Sequence, residues 1–443
     1  MRLAAIALVA SLFCSGADLN NLKQTCIGRA NLGPGQHWLE DCIIDFFTLQ
    51  PLHPALNSIA PTTGIGVGLG IDQIRRRGRF EYIPSARALV SKDGSTLFKG
   101  SLTVGFPGFA LSKANPNGVT EPYLRGMAAN GGHPEIDAKA SFMLHAERFD
   151  LHHQNFYGEG NSTTQSNLAV YRLQQTSGGV TATDPVTSWA AVSLSGDYLQ
   201  PNILGATSDG RPSIVNTDRE SSAPGLRHQP GFARFQPAIR LLFKPVFAEF
   251  IEVKASYAFY HSTDGALYSF RQFDGSAAAQ RVIRIQTKHT ASNHSAFFNA
   301  VCVPLPAKEC SPGNVTVKAF ATTSQTAAGS VVPFYLQPAL GGSNPDGTDT
   351  LRGYRDYRFR APNILGFQAE MRHQIWGPVG VLGFYDVGQV ALKTSDLGSQ
   401  NFHHAIGVGM YVSAANVVVL RISVGWGTHE GVLGNVKAAS GLF

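Results

Sequence analysis

The chain has 443 residues, a formal net charge of +6 and a composition 43% hydrophobic and 15% charged. That charge is modest, and no compact basic patch has nucleic-acid spacing, which sets nucleic-acid binding aside. Past the N-terminus no segment stays apolar for the roughly 18 residues a membrane helix needs, which excludes helical spans but not a β-barrel.

The chain opens with Arg2 and the apolar run Leu3–Phe13, followed by the small residues Ser15-Gly16-Ala17. This is the pattern of a secretory signal peptide over residues 1–17, too short to be a span. Phe13 before Cys14 argues against lipoprotein processing, which needs a small residue there. Residues 18–63 read as a short periplasmic lead-in, a helical cap or plug. Trp38, Cys42 and Phe46 share one stripe over His37–Phe47, and Pro51 and Pro54 end it. Beyond Cys14, the cysteines are Cys26, Cys42, Cys302 and Cys310. An even count in an exported chain favours disulfides, with local pairing Cys26–Cys42 and Cys302–Cys310 the simplest. No Cys-x-x-Cys spacing marks a metal site, and nothing else calls for a cofactor.

From Gly64 onward the pattern is that of strands. In Gly64–Ile71 the residues Ile65, Val67, Leu69 and Ile71 fall on one face and four glycines on the other. The glycine spacing misses that of a dinucleotide loop, and no helix follows. Phe142, Leu144 and Ala146 oppose Met143, His145 and Glu147. The same alternation recurs over Glu249–Tyr260, Phe367–Ile375 and Val418–Trp426. A soluble sandwich would also alternate. Three features favour a barrel: aromatic residues near strand ends (Phe247, Phe250, Tyr335, Trp376, Trp426), short turns alternating with long polar loops such as Gln200–Pro230, and a terminal Phe443. The fold expected is all-β: a closed antiparallel transmembrane β-barrel over residues 64–443. At some 24 residues per strand it would have about 16 strands.

Leu340–Arg360 is polar and glycine-rich, yet carries Arg352, Arg355, Arg358 and Arg360. Downstream, Glu370 and Asp386 fall at the parity of an inward face. A guanidinium fork can bind two carboxylates at once and keeps its charge, so Arg352 could bridge both acids; the alternative is a loop of surface arginines in exposed pairs. Gly353 would let the tip approach the wall, and Gly388, Gly407 and Gly409 would make room for Tyr354. Near a strand end, Asp150, His152 and His153 could serve an outer-membrane hydrolase. They lack a nucleophile with a defining motif, and they read better as loop residues, as do His261 and His403-His404.

Pro333–Gly342, Leu351-Arg352-Gly353-Tyr354, the strand bearing Glu370, Phe384-Tyr385-Asp386-Val387-Gly388, His404–Val412 and Val417–Gly427 together resemble the bacterial surface-antigen, or outer-membrane assembly-factor, superfamily of BamA/TamA-type barrels. The resemblance is specific over residues 331–443 and diffuse over 64–330. The lead-in is too short for that family's POTRA modules. The resemblance implies sixteen strands, a location in the bacterial outer membrane and a long loop whose tip pins the lumen wall. It implies a role in protein insertion, translocation or transport without enzymatic activity, acting through a weak seam between the first strand, Gly64–Ile71, and the last, Val432–Phe443. The partners expected are outer-membrane lipids and lipopolysaccharide, the barrel assembly machinery for the chain's own insertion, and protein cargo. A passive pore or structural barrel is the alternative, and the hydrolase a second one.

Overall fold

The computed structural model describes residues 52–73, 75–107, 139–206, 210–284, 312–343, 348–376, 379–399, 401–414, 417–428 and 430–438. The expected signal peptide, the 37–47 stripe, Cys26, Cys42, Cys302, Cys310 and Phe443 lie outside these residues. No helix among the described residues is long and apolar enough to cross a membrane.

The fold is all-β. The first strands are β1 (Leu52–Ser58), β2 (Ile65–Asp72), β3 (Arg75–Arg77), β4 (Phe80–Ser91), β5 (Thr96–Pro107) and β6 (Lys139–Phe156). Then come β7 (Ala169–Thr187), β8 (Ala190–Gly205), β9 (Phe232–Phe243), β10 (Phe250–Ser262), β11 (Phe270–Arg284) and β12 (Pro312–Thr326). A short pair, β13 (Ala339–Leu340) and β14 (Phe359–Arg360), brackets the arginine-rich loop. The last strands are β15 (Asn363–Trp376), β16 (Val379–Ala391), β17 (His403–Ala414), β18 (Val417–Gly427) and β19 (Gly431–Ala438). All except β13 and β14 belong to one 17-stranded sheet. Each strand pairs antiparallel with its neighbour in the chain, β3 extending β2 along β4, and β12 pairing with β15 across the loop. Antiparallel neighbours joined by turns need no crossover, which is why a meander of this length forms.

The two faces of the sheet differ in kind. On the outer face, Ile65, Val67, Leu69, Phe142, Leu144, Phe235, Ile239, Phe367, Met371, Ile406, Val408, Met410, Ile422, Val424, Val432 and Val436 are all exposed. The alternating positions between them carry charge and are shielded: His145 reaches Asp197 at 2.8 Å, Arg234 reaches Asp197 at 2.7 Å and Arg240 reaches Glu252 at 2.8 Å. An apolar exterior over a charged interior is the inverse of a soluble sandwich and suits strands facing lipid.

Two loop-built cores sit against the inner face. Phe334, fully buried, packs edge-on against Phe156 at 5.1 Å and Tyr171 at 5.2 Å, with Ile214, Leu226 and Phe232 around them. Burying such a ring contributes about 1.5–3 kcal/mol. A second cluster joins Leu340, Leu351, Tyr354 and Phe359 to Ile364, Val390 and Ala405 of the wall. The arginine loop reaches widely separated strands. Gln368 of β15 binds its backbone, Lys437 of β19 binds its Asp349, and Asn155 of β6 donates to the Asp356 carbonyl at 3.4 Å. The sheet therefore curves around the loop.

Two boundaries differ from expectation. The sheet starts at Leu52, ahead of residue 64, because β1 pairs along β2 from Leu52↔Ile71 to Ser58↔Ile65, and buried Ala55 packs with Leu89 and Leu151. And β8 runs on to Gly205, since Leu199 and Ile203 bury into the Phe334 cluster. The first and last strands of the sheet are thus β1 and β19, whose residues approach within 8 Å. Among the described residues no backbone ladder joins them.

Candidate functional site

The site is where the loop tip meets β15, β16 and β18. Strand alternation sets the wall. Gln368, Glu370 and Arg372 share the inner face of β15, and Phe384, Asp386 and Gly388 that of β16, with Gln368 opposite Asp386 and Glu370 opposite Phe384. Into this corner the loop delivers Arg352. Its Nε and Nη2 donate to the two oxygens of Asp386, at 2.8 and 2.7 Å, and its backbone N–H donates to Oδ2 at 2.9 Å. Its Nη1 donates to Glu370. The guanidinium also lies 3.9 Å above the Phe384 ring. One planar fork thus binds two strands and stacks on one of them, which a lysine could not do. Arg352 and Asp386 are 5% and 0% exposed, so each depends on the other for its solvation.

Gly353 follows at φ +92°, and a Cβ there would meet the Trp426 backbone at 3.1 Å and the Ala405 side chain at 3.2 Å. The wall is bare to receive it, since a Cβ on Gly425 would come within 2.8 Å of the Gly353 Cα. Tyr354 then lies against Gly427, its hydroxyl donating to the carbonyls of His404 and Thr428 at 3.2 and 3.1 Å. The glycines expected to make that room do other work: Gly388 faces Leu340, Gly407 the Phe384 ring and Gly409 Ser423. Leu351 is fully buried behind the tip. Thus Leu351, Arg352, Gly353, Tyr354, Glu370 and Asp386 come together at one corner.

The network extends past those six residues. Glu370 also accepts Arg372 and lies 3.9 Å from Arg421. Arg421 and Lys437 both bind Asp349, three residues before Arg352. Burial opposes the Asp349 charge, but Arg421, Lys437 and Arg352 outweigh it and hold its carboxyl well below the ordinary carboxylate range. Beyond the tip, Arg358 binds Glu430 and donates to the Thr163 carbonyl and hydroxyl, while Arg360 donates to the carbonyls of Phe334 and Gln337. The loop is therefore held at its tip, middle and base. Sequence reading missed Asp349, Arg421, Lys437 and Glu430 as partners. The inward parity of Arg421 and the acid just ahead of Leu351 were the available signals.

Two loop carboxyls lie the other way. Burial pushes Asp356 up to about 6, and burial pushes Glu159 up to about 7 against its hydrogen bond from Gln337 and the charge of Arg360. For both, the folded state favours the protonated form relative to the ordinary carboxyl values of 3.8 and 4.5. Their contribution is complete below those values and is lost as pH rises through about 6 to 7. Limited proteolysis should accordingly cut within residues 341–358 faster at pH 8 than at pH 5. Asp356→Asn should flatten the part of that dependence centred near 6; an unchanged profile would remove Asp356 as its source.

The hydrolase candidates are engaged otherwise. Asp150 accepts Nε and Nη2 of Arg172 at 2.7 and 2.6 Å and Gln174 at 2.8 Å, leaving His152 at 3.7 Å. His152 Nδ1 instead meets the Asp93 carbonyl, and His153 the Asp93 carboxylate at 3.5 Å. His403 stacks on Phe359 at 3.7 Å, His404 bonds the Tyr385 hydroxyl on the outer face, and His261 is exposed. Among the described residues no group of three or more His, Cys, Asp or Glu could hold a metal ion.

No family model matches the chain, and no curated protein sequence matches it. In structure it is similar to BamA and CdiB. The BamA of Haemophilus ducreyi lacking POTRA domains 1–3 aligns with TM-score 0.48 and 11% identity, over 90% of this chain and 78% of that one. CdiB from Acinetobacter baumannii aligns with TM-score 0.47 and 9% identity, and CdiB from Escherichia coli with 0.46 and 13%. Both alignments cover 87% of this chain, which spans only 59% and 61% of the two CdiB chains.

Proposed function

We propose that the chain is a closed 16-stranded barrel of the bacterial outer membrane, of the surface-antigen type, which inserts or translocates protein cargo around an internally docked loop. The observation that carries this reading is a charge lock buried inside a sheet whose outer face is apolar. Counting β2 and β3 as one interrupted strand gives sixteen among the described residues, and an even number returns both ends of the sheet to one side, in this reading the periplasm. The seam is built to be weak. Pro54 in β1 has no amide to donate, and β19 contains Gly431 and Gly434. A seam edge that opens offers backbone groups to an incoming strand of cargo. The lock holds the opposite side of that edge, since Lys437 of β19 and Arg421 of β18 both grip Asp349. Outer-membrane lipid, lipopolysaccharide and the assembly machinery that inserts barrels are the remaining partners of this reading.

A passive pore is the second reading, and the inner cavity of about 840 Å³, lined by β6 to β12, by Ile364 of β15 and by Thr348–Thr350 of the loop, favours it. Liposomes containing the purified chain separate the two. Insertion predicts that an unfolded barrel client becomes protease-protected faster than in empty liposomes, with low and unsteady conductance. Steady conductance without client protection would select the pore.

A further inference from the structure

The hairpin of β3 and the start of β4 carries four arginines within five residues, Arg75-Arg76-Arg77-Gly78-Arg79. Its register is Arg75↔Tyr82, Arg76↔Glu81 and Arg77↔Phe80. Alternation therefore splits the arginines. Arg76 turns inward, where its Nε meets Glu81 at 2.9 Å, and Glu81 also takes Lys139 at 3.2 Å. Arg75 and Arg77 turn outward beside Tyr82 and Phe80, on the face continued by Val90 of β4 and by Leu69, Val67 and Ile65 of β2. All three strand arginines are exposed, and the Arg75 Nε donates to the neutral Gln73, at 3.0 Å. The acid of this hairpin is thus spent on the inner side. Among the described residues no carboxylate pairs with Arg75, Arg77 or Arg79.

The same end of the sheet bears an aromatic rim. Trp189, in the β7–β8 turn, stacks on Phe243 at 5.8 Å, both exposed outward, and Phe247 is exposed in the next turn at that end. Phe80 and Tyr82, with ring centroids 6.4 Å apart, continue the rim. Aromatic girdles mark the boundary between acyl chains and headgroups. Exposed guanidinium groups with no carboxylate partner gain from an anion at that depth, and the planar fork suits phosphate oxygens.

We propose that Arg75, Arg77 and Arg79 form a binding site for the phosphate of an anionic phospholipid headgroup, in the leaflet at the end of the barrel where both seam strands start and finish. This rests on the outer-membrane reading, in which that leaflet is the periplasmic one and is made of phospholipid. The site tethers β2 beside the seam to the membrane surface.

The test is native mass spectrometry of the full chain, exchanged from membranes into neutral detergent with phosphatidylglycerol, phosphatidylcholine or lipid A added separately. The wild type should retain phosphatidylglycerol in preference to phosphatidylcholine. The triple variant Arg75→Gln/Arg77→Gln/Arg79→Gln should retain it at least about ten-fold more weakly, while the control Arg76→Gln should not. Unchanged retention in the triple variant, or no preference for phosphatidylglycerol in the wild type, overturns the site. Stronger arginine-dependent retention of lipid A overturns the assignment to phospholipid. Heat-modifiable migration in detergent gels is scored alongside. A chain that is not heat-modifiable defeats the barrel reading itself, whereas a heat-modifiable chain without preference defeats only this site.

Discussion

Arg352→Ala should free residues 341–358 to protease and lower the thermal and detergent resistance of the barrel while leaving the strands assembled. The change strands Asp386, fully buried, and Glu370 without the fork that neutralises both. Removing one partner of a buried ion pair costs about 3–5 kcal/mol, mostly the penalty of the charge left behind. Arg372 and Arg421 remain near Glu370, so the larger penalty falls on Asp386. Asp386→Asn in the Arg352→Ala background should therefore recover part of the loss. Arg352→Lys should restore less, because an ammonium cannot span both carboxylates or stack on Phe384. The measurements are the temperature of the heat-modifiable gel shift and the protease half-life of the loop. If Arg352→Ala leaves both unchanged, the fork does not hold the loop.

Gly353→Val should be as damaging, for a reason that involves no charge. The φ of +92° is strained for a β-branched residue, and its Cβ would press at 3.1 Å on the backbone of β18, which its ladders to β17 and β19 hold in place. Strain and overpacking each cost about 1–3 kcal/mol, enough together to lift the tip and with it the Arg352 fork. Gly425→Val, from the wall side, should have the same effect, since its Cβ would meet the Gly353 Cα. Because all three changes break one contact, Gly353→Val combined with Arg352→Ala should fall well short of the sum of the two. Additive losses would mean that the glycine and the arginine act separately.

How much of this was legible in the sequence depends on the range of each interaction. Face assignment is local: the period of two in Phe367–Ile375 sets Phe367 and Met371 against Gln368, Glu370 and Arg372, and the structure divides them in that way. The tip residues and their two acids were legible because the motif, the acid-bearing strands and their parity lie within 36 residues of one another. Arg421 and Lys437 were not, since their meeting with Asp349 depends on how far two later hairpins carry the wall round the loop. Glu430 was hidden likewise, in the three-residue turn between β18 and β19. Strand β1 was masked by Pro54, which reads as a breaker but is tolerated at an edge, where an amide can go unpaired. The long extension of β8 was concealed by Gln200, Pro201 and Asn202, whose polarity suggests a loop, while Leu199 and Ile203 anchor it inward.

The arginine loop lies against β15, on the inner face of the sheet. Gln368 Nε2 donates to the Thr350 carbonyl at 2.9 Å, so these positions are neighbours only if the tip is docked. The direct test is a cysteine pair, Thr350→Cys with Gln368→Cys, treated with a short bifunctional maleimide in intact membranes and mapped by mass spectrometry. A cross-linked peptide joining the two positions, lost when Arg352→Ala is added, is the result the account predicts. Free labelling of both cysteines without a cross-link would contradict it.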